Sequence, residues 1–483
     1  MAAADQGEAL GAGDRRPAVP TGDQRAAVFA LGHDAFASRL RETAGGQWPP
    51  APALGDDDAC ELLARLAVDV WPNPPAVDCV QAAARLAGLA GDAASPGGRI
   101  ADLLLHIVRW AMEALADGEG AFPREVDLWA PGAGPRRIAY SARQCRGVMA
   151  NALLSNVTDT TAGYKDRGNQ GGLDFHRMLR ARSEGPNKLA CLLHYFDASR
   201  LLEGTEADGR MVTFERRAAP QEVQDLSDFR RWILEDFGKS APAARCDLHD
   251  GGMESVPEAE AFVNFANPNF GYGRFIPSCT QEEILQVCCP EFNIGMLHQG
   301  LMRDEEVVNV YSVRRFSAYA GYLNSFTFKG PWAGEPSVQN ILTMDATTES
   351  HFRGAMVLRD VRKAYLSFQG CGVVSTGRWG CGAFGGSPPH KLAQQIVAAS
   401  LAGCELRFSS FGSLDSCDVV LEAVTSAPHT AADLLVALLA ASATAASRTP
   451  QGFAEAFAKS LRSNASATHP ARPPQPAGSC DMV

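Results

Sequence analysis

The chain has 483 residues, 46% hydrophobic and 20% charged, with 44 Lys and Arg against 55 Asp and Glu and a formal charge of −11. A chain of this length can bury the core of one large domain or two coupled ones, and its acidic balance argues against broad nucleic-acid binding, which needs a basic face to displace counterions. No run of eighteen apolar residues is free of charge and the N-terminus has no hydrophobic signal core, so neither a membrane span nor a secretory leader is expected.

Residues 1–55 are rich in Ala, Gly, Pro and Asp with little apolar periodicity and read as a disordered leader, with HDAFASRLRE at 33–42 as one short helix. From Asp56 the pattern turns helical: DDDACELLARLAVDVW has an acidic start and apolar residues at helical spacing, and Pro72, Pro74 and Pro75 end it. RIADLLLHIVRWAMEALA at 99–116 carries the strongest helical signal, and SARQCRGVMANALL at 141–154 follows with Ser141 as cap. FHRMLRARSEGPNKLACLLHYFDASRLL adds two helices joined around Gly185 and Pro186. Residues 56–203 therefore read as an all-helical accessory region with no catalytic chemistry of its own. His106, His176 and His194 lie in its apolar stretches and read as structural.

After Gly209 the texture alternates. MVTFERR, AFVNFAN, EVVNVYSV, VQNILTMDAT and CELRFSSFG are strand-like, with helices such as KLAQQIVAAS between several of them. Alternation of this kind predicts an α/β layered domain over 204–460, and 461–483, with ARPPQPAGS, reads as a disordered tail. The thirteen cysteines are odd in number, form no CxxC pair and include adjacent Cys288 and Cys289. They suit reduced thiols in an intracellular protein better than a disulfide or zinc framework. No carboxylate or histidine cluster has metal-ligand spacing, so neither a metal nor a cofactor is called for.

The chemistry concentrates in FANPNFGYGRFIPSCTQEE, Phe265 to Glu283. AFVNF at 261–265 suits a buried strand, Gly271, Tyr272 and Gly273 form a loop whose glycines permit positive φ, and Ser278 or Thr280 can cap a helix through Ile284 and Leu285. The free N–H groups and positive dipole end of that helix favour an anion such as a phosphate. Glu282 and Glu283 point about 100° apart, so one faces a ligand while the other orients it. An ordinary capping box accounts for the same residues, since Thr280 and Glu283, or Ser278 and Gln281, have its spacing. Arg274 beside the loop and Arg378 are candidate cations for an anion, or solvated surface charges.

Three glycines followed after six to eight residues by Gln-Glu-Glu is the signature of poly(ADP-ribose) glycohydrolases. GYG, seven residues and Gln281-Glu282-Glu283 resemble it. A second block, TGRWGCGAFGGSPPHKLAQQIVAAS from Thr376 to Ser400, resembles the family's TGxWGCGAFGGD segment, and SARQCRGVMANALL resembles its helix ending in LLANAFF. The resemblance runs from about 135 to 425. It implies a macrodomain-like mixed sheet between helices, with the N-terminal helical region packed against it, acting as a monomer on poly(ADP-ribose) attached to modified proteins and releasing ADP-ribose. It also implies a nuclear or cytoplasmic setting and a part in the DNA damage response.

Carried over residue by residue, the resemblance makes Glu283 the general acid and base and Glu282 its partner on the ribose hydroxyls. Asn267 would contact the ribose near the scissile bond, and Gln281 the adenine-side pocket. Gly271, Tyr272 and Gly273, with Gly380, Cys381, Gly382, Ala383 and Phe384, would wrap the diphosphate through backbone N–H groups. Tyr322 would cover the ligand near the cleaved bond and Phe411 would stack on adenine. Three positions depart from the family: Tyr272 stands for its middle glycine, Asn264 for an acid in its DFAN run, and Ser387, before Pro388 and Pro389, for the aspartate after GCGAFGG. These departures leave open a binding protein of weak or no activity, or one acting on a related bond such as mono-ADP-ribose on a side chain.

Overall fold

The computed structural model describes residues 24–48, 54–68, 74–90, 99–158, 173, 175, 178–180, 184–271 and 279–468. Its N-terminal part packs α1 (His33–Thr43), α2 (Asp56–Ala67), α3 (Pro74–Leu86), α4 (Arg99–Leu115), α5 (Ala142–Leu153) and α6 (Gly185–Leu202). α2 opens on Asp56, Asp57 and Asp58, carboxylates at the positive end of its dipole, and buries Leu62, Leu63 and Leu66. α5 starts where the sequence puts its cap. Ser141 Oγ accepts from the Gln144 N–H at 3.1 Å, while the Gln144 side chain accepts from the Ser141 N–H at 3.0 Å.

Strands also arise in these stretches. Within 1–55, β1 (Gln24–Ala27) pairs antiparallel with β2 (Glu125–Leu128), and α1 buries Phe36 and Leu40; residues 1–23 lie outside the described part. Within 56–203, β3 (Arg136–Ser141) forms the edge of the main sheet. Its opening Arg136 and Arg137 leave no apolar alternation to read, and the strand is held by its partner β4 (Met211–Ala218), from Arg136 opposite Arg216 to Ser141 opposite Met211.

The remaining strands are β5 (Cys246–His249), β6 (Ala261–Ala266), β7 (Glu306–Arg314), β8 (Ser317–Ala320), β9 (Thr327–Pro331), β10 (Val338–Asp345), β11 (Val373–Thr376) and β12 (Glu405–Ser409). Eight of the twelve strands among the described residues build one mixed sheet in the order β3-β4-β7-β10-β6-β11-β12-β5. β10, β6, β11, β12 and β5 run parallel, and β7, β4 and β3 continue antiparallel. The five strand-like segments of the sequence became β4, β6, β7, β10 and β12. β8 and β9 pair with each other outside this sheet.

Helices cover both faces, so β6 is buried almost continuously, as a central parallel strand must be. One face carries Phe262 and Ala266 against α2 to α6 and α8 (Gln281–Cys288). The other carries Val263, Leu342 and Val374 against α7 (Leu226–Glu235), α9 (Gly354–Phe368), α10 (Pro388–Ala402), α11 (Cys417–Thr425), α12 (Ala431–Ser442) and α13 (Pro450–Thr468). Thus the chain leaves β6 for one face and leaves its neighbour β11 for the other. A crevice opens at the carboxyl ends of such a strand pair. The two strands pair only at Ala261 with Val374 and Phe262 with Ser375 and then diverge. No helix among the described residues is long and apolar enough to cross a membrane. Residues 469–483 of the expected tail are outside the described part, whereas α13 extends to Thr468.

Candidate active site

Where β6 and β11 diverge, Gln281 takes the place of the missing strand. Its Oε1 accepts from the Phe265 N–H at 2.8 Å and its Nε2 donates to the Val263 carbonyl at 3.1 Å. The side chain thereby satisfies two central backbone groups that would otherwise be buried unpaired, and it locks the first turn of α8 against β6. Glu282 and Glu283, next in the chain, are held by the same contact.

Glu282 points back to β6 and is 3% exposed. Its carboxylate accepts from Asn264 Nδ2 at 3.4 Å and the Asn267 N–H at 3.3 Å, and also from the Gly271 N–H. Burial, and then the charge of neighbouring Glu283, hold this carboxyl well above the usual carboxylate range despite those donors. An aspartate at 264 would have put a further buried negative charge there; Asn264 gives Glu282 a donor instead. Glu283 is 4% exposed and accepts from the Thr280 N–H at 2.7 Å and from the Thr280 hydroxyl. The contact expected of an ordinary capping box is therefore made, and it fixes a carboxylate that also lines a cavity.

That cavity, of about 390 Å³, lies at the carboxyl ends of β6 and β11. One wall is Asn267, Gln281, Glu282 and Glu283; the facing wall is Gly380, Cys381, Gly382, Ala383 and Phe384. Asn267 Oδ1 accepts from the Asn269 N–H at 2.9 Å, which anchors its side chain in the loop. Gly271 has φ +75°, and a Cβ there would lie 2.2 Å from Met296 Cε, so only glycine fits. Tyr272, Gly273 and Arg274 lie outside the described residues.

In the facing loop the N–H groups of Gly380, Gly382, Ala383 and Phe384 meet no protein acceptor among the described residues. The loop is held from behind: Trp379 Nε1 donates to the Met344 carbonyl at 2.9 Å, and the Gly386 N–H to the Gly380 carbonyl at 2.9 Å. Tyr322 and Phe411 stand at the mouth, 36% and 61% exposed, their ring centroids 5.6 Å apart in an edge arrangement. Phe411 has φ +49°, a left-handed conformation that costs a side chain of this size about 1–2 kcal/mol. At that exposure Phe411 is not a core residue.

Three groups fall differently from the sequence expectation. Arg378 lines the cavity, but its guanidinium is engaged by the Ser413 carbonyl at 2.8 Å and by Asp415. The helical region contributes Lys188 of α6, which is 1% exposed and close to both Cys279 and Glu283. Burial lowers its ammonium, opposed by attraction to Cys279 and Glu283. The only sequence signal for it was a lysine inside the apolar run KLACLLHYF. Glu254, also unanticipated, lines the cavity and is paired with Arg315 at 3.1 Å.

Residues 240–418 match the family model described as poly(ADP-ribose) glycohydrolase (PARG), Macro domain fold. The chain is similar to poly(ADP-ribose) glycohydrolase 1 of Arabidopsis thaliana, 31% identical over 198 residues, 38% of this chain and 33% of that protein. It is similar to poly(ADP-ribose) glycohydrolase 1 of Caenorhabditis elegans, 31% identical over 206 residues, 34% of this chain and 26% of that protein. With the probable poly(ADP-ribose) glycohydrolase 2 of Arabidopsis thaliana it shares 25% over 325 residues, 55% of this chain and 61% of that protein. The chain thus spans between a quarter and about three fifths of the length of these relatives. A solved poly(ADP-ribose) glycohydrolase from Deinococcus radiodurans in complex with ADP-ribose is 20% identical with a TM-score of 0.26, over 40% of this chain and 86% of that one. Residues 240–418 are thus similar to the poly(ADP-ribose) glycohydrolase family, whose model is described as a Macro domain fold.

Proposed function

We propose that this protein hydrolyses the ribose–ribose O-glycosidic bonds of poly(ADP-ribose) and releases ADP-ribose. The observation that carries this reading is the meeting, in one cavity, of two buried adjacent carboxylates with a loop whose N–H groups have no acceptor among the described residues. The diphosphate would lie on the loop from Gly380 to Phe384, joined by Gly271, Tyr272 and Gly273, with adenine on Phe411 and the ribose at the cleaved bond beside Asn267 and Tyr322. Gln281 would hold the strand end that faces the adenine side.

Glu283, protonated, would give its proton to the oxygen leaving the anomeric carbon as the C–O bond breaks and an oxocarbenium-like centre forms. The resulting carboxylate would take a proton from water as that water adds to the anomeric carbon, which restores Glu283. Glu282 would hold the ribose hydroxyls. The N-terminal region 56–203 serves as accessory and 204–460 as catalytic domain in this reading, with a nuclear or cytoplasmic site of action.

A second reading, an ADP-ribose or poly(ADP-ribose) binding protein of weak or no turnover, is favoured by the contact that already occupies Glu283, its capping of Thr280. Release of ADP-ribose from purified polymer by the wild type and by Glu283→Gln, with ADP-ribose binding measured for both, separates the two. Turnover lost in the variant alone supports hydrolysis. Binding without turnover in either protein supports the binder.

A further inference from the structure

The turn that closes the glycine loop of the second block is pinned by a side chain the proposed chemistry does not use. Within 377–386 the backbone closes on itself: the Cys381 N–H donates to the Arg378 carbonyl at 3.0 Å, the Gly385 N–H to the Gly382 carbonyl at 3.0 Å and the Gly386 N–H to the Gly380 carbonyl at 2.9 Å. The second of these bonds makes 382–385 a β-turn with Ala383 and Phe384 at its centre, and the N–H groups of those two residues have no acceptor among the described residues. The Phe384 carbonyl is held from outside the loop. It accepts from His351 Nε2 at 2.7 Å, and His351 stands in the stretch between β10 and α9.

This contact fixes the tautomer. A carbonyl oxygen only accepts, so Nε2 carries the hydrogen. Burial, against the bond to Phe384 itself, lowers the ring below the usual histidine range; the Lys391 ammonium adds to that effect and the Asp360 carboxylate opposes it. Lys391 and Asp360 are paired with each other. His351 is therefore neutral at pH 7, and its Nδ1 is buried with no partner among the described residues.

The peptide that joins Phe384 to Gly385 is thereby tied at both ends. Its C=O and N–H lie in one plane and point in opposite directions, the oxygen to His351 and the hydrogen to the Gly382 carbonyl. With one tie removed, the oxygen could swing toward the cavity that Phe384 lines, where the negative end of a carbonyl opposes a phosphate. We propose that His351 is a positioning residue for a diphosphate: acting through the Phe384 carbonyl, it keeps that oxygen out of the anion site and holds the N–H groups of Gly382, Ala383 and Phe384 in one arrangement. The proposal rests on the reading of this loop as the diphosphate cradle.

The test is calorimetric titration of the full chain with ADP-ribose and with adenosine, which lacks the diphosphate, for the wild type and three variants. His351→Leu removes the donor. His351→Asn keeps an amide that reaches only as far as Nδ1, whereas His351→Gln carries its amide nitrogen as many bonds from Cα as Nε2. His351→Leu and His351→Asn should bind ADP-ribose about three- to tenfold more weakly, the loss of one hydrogen bond that favours the binding-competent loop, with adenosine unchanged within about twofold. His351→Gln should recover most of that loss. Where His351→Leu does not fold, His351→Asn, which keeps a polar side chain, gives the same comparison with His351→Gln. His351→Gln as weak as the other two, equal losses for both ligands, or no loss for ADP-ribose would overturn the role given to His351 and leave the function reading intact. Absence of ADP-ribose binding to the wild type would overturn the cradle itself and the proposal with it.

Discussion

On the β6–α8 wall of the cavity the polar groups are bonded to the protein before any ligand arrives: Gln281 to two backbone groups of β6, Glu282 to Asn264 and Asn267, Glu283 to Thr280. On the β11–α10 wall the N–H groups of Gly380, Gly382, Ala383 and Phe384 meet no acceptor among the described residues, and the fixing contacts lie behind the loop. In the proposed reading the difference follows from what each wall would handle. A proton-transfer group must be aimed within tenths of an ångström, which needs bonded side chains. A diphosphate is recognised by charge and by open backbone donors, which need a rigid loop and nothing in front of it.

The sharpest break of this contrast is on the first wall. Glu283→Gln keeps the shape of the side chain and removes the transferable proton, so turnover of poly(ADP-ribose) should fall by about 10²–10⁴-fold while ADP-ribose affinity stays within threefold. A parallel collapse of affinity would make Glu283 a binding group and blur the two walls. On the second wall, Gly380→Ala places a Cβ 2.6 Å from Ala346 Cβ at φ +72°, so the loop must move. ADP-ribose affinity should weaken by about tenfold to a hundredfold, the cost of such overpacking converted at about 1.4 kcal/mol per decade. Gly382→Ala, which meets nothing within 4 Å, should show how much of that is steric.

Smaller effects test the framework. Gln281→Leu leaves the Phe265 N–H and Val263 carbonyl unpaired in the sheet and should lower unfolding free energy by about 1–3 kcal/mol, read by denaturant titration. An unchanged midpoint would mean that water or a strand shift replaces the glutamine. Glu282 provides a pH signature of its own. Its carboxyl is raised in the folded chain, so the folded state holds the proton more tightly than the unfolded one; the stability it contributes is complete below the ordinary carboxylate pKa and is lost as pH rises through the folded value. The stability of Glu282→Gln relative to wild type should therefore increase as pH rises from about 4 toward neutral. A flat difference would refute the burial-driven shift.

The central strand and the helix after it were legible in the sequence because AFVNF is apolar at every position but Asn264 and Thr280 caps at the spacing that places Glu283 over the helix start. β5 and β11, four residues each, are too short for a period to emerge, and β3 opens on two arginines. Asn267, Gln281, Glu282, Glu283 and residues 380–384, singled out through the two family blocks, line one cavity, and Tyr322 and Phe411, which lie outside both blocks, meet at its mouth. What the blocks left hidden are partnerships across the fold: Arg378 engaged by Asp415, Glu254 by Arg315, and Lys188 brought to Glu283 by packing of α6 against α8. None has a local signal, since each depends on which helix lands on which face.

The edge strand β3 bears on how this protein can be dissected. Because residues 136–141 close the sheet beside β4, a fragment beginning at 204 would present β4 as an open edge, ready to pair with another copy. It would also bare the sheet face that carries Val212, Phe214 and Phe262, which the helices before it cover. Expressed alone, such a half should be recovered as aggregate, and only a piece that starts ahead of β3 and keeps those helices can serve as a minimal soluble unit.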